Sequence, residues 1–228
     1  MCNLLFGQGR FLEAAEFYLM YVNRADNDAT ALNNLGAAYY LAGEFRQAAE
    51  AWESAIAIRP NRSVYSNTGT MYFFLGEFEK AADRYALAAN LAPNDYIVWG
   101  NLADAYYFGE KFEQVAAVTY KRALALVEQQ LEVNPQDAEA MSFAAYFNAR
   151  LGNRDTALEY DERSREKAPD NMYVYYNSAL VHAQFDQTDS ALDALERAVA
   201  LDYQEDLLPL DPAFENLREE ERLKQLVE

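Results

Sequence analysis

The chain has 228 residues, just over half of them hydrophobic, and a net charge of −18 from 37 acidic and 19 basic side chains. It has ample material for a buried core, while its charge would repel a phosphate backbone or an anionic leaflet. One cysteine, Cys2, and one histidine, His182, exclude an internal disulfide, a multi-thiolate zinc site and most metal or triad arrangements. No apolar run approaches the roughly 18 residues that span a bilayer, and the start has no basic leader. The expectation is a soluble, cytoplasmic chain with no nucleic-acid or membrane partner, no metal and no cofactor.

In chain order, residues 1–28 read as a truncated repeat. Counting back from Tyr18 and Ala14 places Met1 at position 7 of a unit, so the chain is expected to begin mid-repeat, as a piece of something longer. Apolar Leu4, Leu5 and Phe11 are then expected to be incompletely covered and to support self-association through that end. Gly7-Gln8-Gly9 and Asp26-Asn27-Asp28 lack the further residues of a nucleotide or calcium loop and read as turns. Cys2, at position 8, reads as a small buried residue.

Residues 29–61 carry Leu32, Leu35, Gly36, Tyr39, Gly43, Phe45, Ala48, Trp52, Ala55 and Pro60, at positions 4, 7, 8, 11, 15, 17, 20, 24, 27 and 32 of a unit. Residues 62–95 repeat the pattern with Tyr65, Gly69, Tyr72, Gly76, Phe78, Ala81, Tyr85, Ala88 and Pro93. Small residues at 8, 20 and 27 let two antiparallel helices approach closely, large ones at 4, 11, 17 and 24 fill the gaps, and proline ends each second helix.

The third unit, 96–137, has Trp99, Leu102, Ala103, Tyr106 and Phe112, but Pro135 falls 36 residues after Trp99 rather than the 28 between Leu32 and Pro60. Those eight extra residues contain neither glycine nor proline and predict a second helix longer by about two turns, roughly 12 Å. Units 138–171 and 172–205 follow, and 206–228, opening at Asp211-Pro212-Ala213-Phe214, reads as a capping segment.

These motifs identify the chain as resembling the tetratricopeptide-repeat (TPR) family over essentially its whole length. The resemblance implies an all-α fold, a right-handed α-solenoid of antiparallel helix pairs closed by a C-terminal capping helix, and a role as scaffold or peptide receptor rather than enzyme. No catalytic residue is assigned: His182 occupies position 11, where other units have tyrosine, and reads as a packed imidazole.

Within the resemblance, positions 2, 5, 6, 9, 12 and 13 of each first helix face the concave side. Position 6 reads Asn34, Asn67, Asn101, Phe143, Asn177, a ladder with one break. A side-chain amide both donates and accepts, so a row of them can pair with the backbone of an extended peptide. Beside it stand Tyr40, Phe73, Phe74, Tyr107 and Phe108, with Tyr146, Tyr173 and Tyr176 in later units, suited to apolar or aromatic anchors.

The C-terminal half, through Tyr120-Lys121-Arg122-Ala123, Asn134-Pro135, Leu151-Gly152 and Leu210-Asp211-Pro212, is similar to C-terminal TPR regions of bacterial multidomain signalling proteins, in which a kinase, cyclase or winged-helix regulator lies upstream. The leading expectation is a scaffold that binds a peptide or protein partner in its groove, as the recruitment region of such a protein. The alternative is a chaperone-like holder of a basic or aggregation-prone client, which the acidic charge would attract.

Overall fold

The computed structural model describes residues 2–24, 28–109 and 113–227, with Cys2, Asn3 and Glu113 described by their backbone alone. The expectations for Met1, Asp26, Asn27 and Phe112, and for the Cys2 side chain, lie outside them. Among the described residues there is no strand. Thirteen α-helices and two 3₁₀ segments follow one another: α1 Cys2–Gly7, α2 Phe11–Val22, α3 Ala29–Leu41, α4 Phe45–Ile58, α5 Arg62–Phe74, α6 Phe78–Leu91, α7 Tyr96–Phe108, α8 Glu113–Val133, α9 Ala138–Arg150, α10 Arg154–Lys167, α11 Met172–Gln184, α12 Thr188–Ala200 and α13 Glu221–Leu226. The chain forms two compact units, residues 1–93 and 94–228.

Local chemistry fixes both ends of the first helix in each complete repeat. The residue before it is Asp28, Asn61, Asp95, Asp137 or Asn171, and each side chain accepts a hydrogen bond from a backbone N–H of the first turn. Such a cap is worth about 1 kcal/mol. The turn into the second helix needs a left-handed residue, supplied by Gly43, Gly76 and Gly152 at φ of 77°, 74° and 80°. In the last repeat Asp186 takes that place at φ 54°, a conformation that costs a side-chain-bearing residue more than glycine.

In the first unit, α3 packs against both α2 and α4, and α5 against both α4 and α6. The indole of Trp52 lies directly on Gly36 and donates to the Asn33 carbonyl at 3.1 Å, while the Tyr85 ring lies on Gly69. On the outside, Arg84 pairs with Glu53 at 2.6 Å and Arg46 with Glu77, tying α6 and its turn to α4.

In the second unit α8 has 21 residues against 14 in α4, α6 and α10. Its added length leaves Val118 and Val133 exposed. α9 is the centre of this unit and packs on α8, α10 and α11. From Ala140 to Ala149 every side chain but Phe143 is buried, which matches a stretch with no charge on any face. The unit ends in two 3₁₀ segments, Glu205–Leu210 and Pro212–Leu217, and then α13. Pro209 and Pro212 lack the N–H that one continuous helix would require. Phe214, Leu217 and Leu223 from this segment are buried in the core.

The close approach of helix to ring yields a test. A Cβ at Gly36 would stand 2.5 Å from the Trp52 ring, so Gly36→Ala is expected to lower stability by about 1–3 kcal/mol through overpacking, although alanine is favoured in a helix by about 1 kcal/mol. Urea unfolding measures the balance, and a variant as stable as the parent would show that the indole can retreat freely.

Candidate functional site

The four asparagines of the ladder have different fates. Asn34 on α3, Asn67 on α5 and Asn101 on α7 are half-buried or exposed, and among the described residues none of their amides has a hydrogen-bond partner within the protein. Asn177 is 3% exposed and donates to Ser142 Oγ at 2.9 Å. That amide joins α11 to α9 and is not available to a ligand, which corrects the expectation for this position. At the break in the ladder, Phe143 packs edge-on against Tyr96, with ring centroids 5.5 Å apart.

The aromatic positions also divide. Tyr40 and Phe108 are half-buried, and Tyr107 and Tyr173 are 38% and 49% exposed. Phe73 and Phe74 are buried, with Phe73 edge-on to Phe74 and Phe78, so they belong to the core and not to a ligand-facing floor. Tyr146 is likewise buried, and the Tyr176 hydroxyl donates to Asp211. Placing these four in the groove assigned to ligand contact groups that the fold itself uses, because helix position alone does not tell a face that meets solvent from one that meets the next helix.

The second unit contains a polar network that the repeat pattern did not reveal. Tyr120 on α8 and Tyr146 on α9 both donate to Asp104 Oδ1 on α7, each at 2.5 Å. Arg150 donates through Nε to the Tyr146 hydroxyl at 2.9 Å and through Nη1 to Gln184 Oε1 on α11 at 2.7 Å. Its guanidinium lies over the rings of Tyr107, Phe108 and Tyr146, 3.9 Å from Asp104, and its side chain is only 5% exposed. Burial pushes the Asp104 carboxyl up to about 6, against the pull of Arg150 and the two hydroxyls. Removing one partner of such a buried pair leaves the other uncompensated, a loss of about 3–5 kcal/mol.

A second pair joins α10 to α11. His182 Nε2 stands 3.2 Å from Asp161 Oδ2 and Nδ1 stands 2.8 Å from Gln187 Oε1. Asp161 also takes Arg165 at 2.9 Å. Both ring nitrogens therefore have partners inside the protein, which leaves neither for general-base work on a substrate. The sequence held one sign of this pair: Asp161 is at position 24, where Trp52 and Tyr85 stand in other repeats, and His182 is at position 11, where they have tyrosine.

Consecutive capped helix pairs, with unengaged amides on first helices and buried links between neighbours, define an all-α repeat protein of the solenoid class. Family models of the tetratricopeptide repeat match residues 29–62, 119–172 and 173–205, together more than half of the chain, and the protein belongs to the tetratricopeptide-repeat family. No sequence among curated proteins matches it. In fold it is similar to a tetratricopeptide repeat protein from Parabacteroides merdae, at 19% identity and TM-score 0.63, covering 99% of this chain and 87% of that one. It is also similar to a thermophilic TPR protein of Thermus thermophilus, at 19% identity and TM-score 0.58 over 82% and 99% of the two chains. MamA from Desulfovibrio magneticus RS-1 matches at 18% and 0.57 over 74% and 91%.

The titratable groups set a pH dependence. Burial alone would lower His182, but its hydrogen bonds to Asp161 and Gln187 and the Asp161 charge outweigh this and raise it. The folded state thus holds this proton more tightly than the unfolded chain. The resulting stabilisation is complete below about pH 6.5 and is lost as pH rises through the folded value. Burial raises Asp161, but His182, the Ser178 hydroxyl beside it and Arg165 bring it net below its ordinary value. Its contribution is complete above about pH 3.9 and is lost as pH falls through the folded value. Asp104 behaves oppositely, its ionisation costing stability as pH climbs from about 3.9 towards 6. The melting temperature is expected to fall as pH is raised from about 6 to 8, and His182→Gln to flatten that fall. A parent melting temperature that rises over this window would show that the folded state does not hold the His182 proton more tightly than the unfolded chain.

Proposed function

We propose that this protein is an interaction scaffold, not an enzyme, which holds an extended segment of another polypeptide on the first-helix faces of its repeats. The observation that carries this reading is the pair of unengaged amides of Asn34 and Asn67 in the first unit. In the second unit the Asn101 amide is unengaged and Tyr107 and Tyr173 are exposed at their edges, whereas Asn177, Tyr146 and Tyr176 are tied to other groups of the fold. Each amide can exchange hydrogen bonds with a peptide backbone whatever the side chains of that peptide are.

The C-terminal motifs support placement of the chain in a larger bacterial signalling protein, where it would recruit a partner in the cytoplasm. No described helix is long and apolar enough to cross a membrane. The −18 charge favours the second reading, a chaperone-like holder of basic clients. Binding that weakens steeply with salt would distinguish it from the first.

Exposed Leu4, Leu12, Phe17, Leu19 and Met20 on α1 and α2 support self-association through the N-terminal end. Leu5, by contrast, is buried against the chain's own core and contributes nothing to that surface. Sedimentation over a wide concentration range is expected to show a dimer that Leu12→Glu with Met20→Glu abolishes. A monomer at every concentration would reject self-association.

For the binding face itself, a peptide selected on the parent chain serves as the probe. Asn34→Ala and Asn67→Ala are each expected to weaken it about 2- to 10-fold, the equivalent of about 0.5–1.5 kcal/mol per hydrogen bond, with the melting temperature unchanged. Asn177→Ala should instead lower the melting temperature, because it breaks the buried bond to Ser142. If the first two variants bind the peptide as the parent does, the partner uses another surface.

A further inference from the structure

The charges of this chain are segregated by helix. The first helices α3, α5, α7, α9 and α11 hold four charged residues among 65: Arg62, Asp104, Glu139 and Arg150. The second helices α4, α6, α8, α10 and α12 hold 25 among 76. At the chain's overall 25% charged, about sixteen would be expected on the first set. Of the four, Asp104 and Arg150 are buried against each other, and Arg62 has a partner within the protein. α3 has no charged residue at all.

Burial explains part of this, because a first helix touches neighbours on two sides and charges are excluded from such contacts. It does not explain the positions that remain accessible. On α3, Asn34 is half-buried, and the exposed Thr30 accepts a hydrogen bond from Arg59 at 2.9 Å; on α5, Ser63 and Asn67 are exposed. Water would accept lysine or glutamate at any of them, yet each is polar and neutral. The charged second helices lie roughly 8–10 Å away, the usual interaxial spacing. That is about one Debye length at physiological salt, so their field reaches this face only in part, and the one guanidinium brought onto α3, that of Arg59, lies at its first turn on Thr30.

From this we infer that the first-helix face of the first unit takes an extended, uncharged segment of a partner protein, one without Lys, Arg, Asp or Glu along the stretch it contacts. The inference rests on the reading that this face is the binding surface. An ionised side chain laid against Asn34 and Asn67 would lose water, and α3 offers no charge and α5 only Arg62, already partnered, to replace it. A backbone with small, polar-neutral or aromatic side chains loses nothing there and gains the amides of Asn34 and Asn67. The net charge of −18 is then a property of the second helices, the loops and the C-terminal segment, and does not describe the ligand.

The test is selection from a displayed library of random peptides about 12 residues long, an extended span of roughly 40 Å, against the whole chain at physiological salt. Binding constants of the selected peptides are then measured at low and high salt, on the parent and on Asn34→Ala with Asn67→Ala. The expected result is peptides depleted in charged residues, with a Kd that changes less than about twofold over a tenfold salt range, that lose at least about tenfold on the double variant and on insertion of one central lysine. Peptides rich in lysine or arginine, weakened more than about tenfold by salt but still dependent on Asn34 and Asn67, would overturn the neutral-ligand inference and leave the binding face standing. If no selected peptide depends on those two asparagines, the binding face itself is wrong and the inference falls with it.

Discussion

An aromatic ring laid on a residue with no side chain sets the distance between the two helices of a pair. Trp52 on Gly36 and Tyr85 on Gly69 are the two instances in the first unit. A glycine inside a helix costs about 1 kcal/mol relative to alanine, and the ring buries a large apolar surface in return. With that spacing fixed, the alanines at 48, 55, 81 and 88 can be fully buried in the same seam. The caps and left-handed turns then only have to start and reverse each helix at the right place.

The second unit departs from this scheme where its chemistry changes. At position 24 of the fourth complete repeat the aromatic is replaced by Asp161, which pairs with His182 and Arg165 and ties α10 to α11. Between α7 and α9 the closest approach is again a glycine, with the Phe147 ring lying on Gly100. Beside it the Tyr120–Asp104–Tyr146–Arg150–Gln184 chain connects four helices. A hydrophobic cluster of the same volume could be at least as stable. What the polar chain adds is register: each of its hydrogen bonds needs one particular pair of side chains to meet, so α7, α8, α9 and α11 can meet in few ways.

The two units therefore use the same repeat differently. In the first, the amides of Asn34 on α3 and Asn67 on α5 have no hydrogen-bond partner among the described residues. In the second, most of the corresponding groups are tied to one another, as Asn177 to Ser142 and Arg150 to Gln184. A surface whose donors and acceptors are already paired offers little to a peptide backbone, because each new bond must first break an old one. The second unit is the better braced for that reason.

By itself the sequence determined the repeat: the periodic small residues, the prolines, the caps and the left-handed glycines are local signals, each acting on its own few residues. It determined the length of α8 as well, because nothing between Glu113 and Val133 can stop a helix. It also put Asn34, Asn67 and Asn101 at one position of the repeat. Only the tertiary structure decided that Asn177, Phe73, Phe74 and Tyr146 are buried, that the Tyr176 hydroxyl is tied to Asp211, and that the Asp104, Arg150 and Asp211 side chains are drawn into the fold. The reason is that a face of a helix becomes groove or core according to what packs against it. That depends on partners such as Ser142, Gln184 and Asp211, which lie 34 or 35 residues away along the chain.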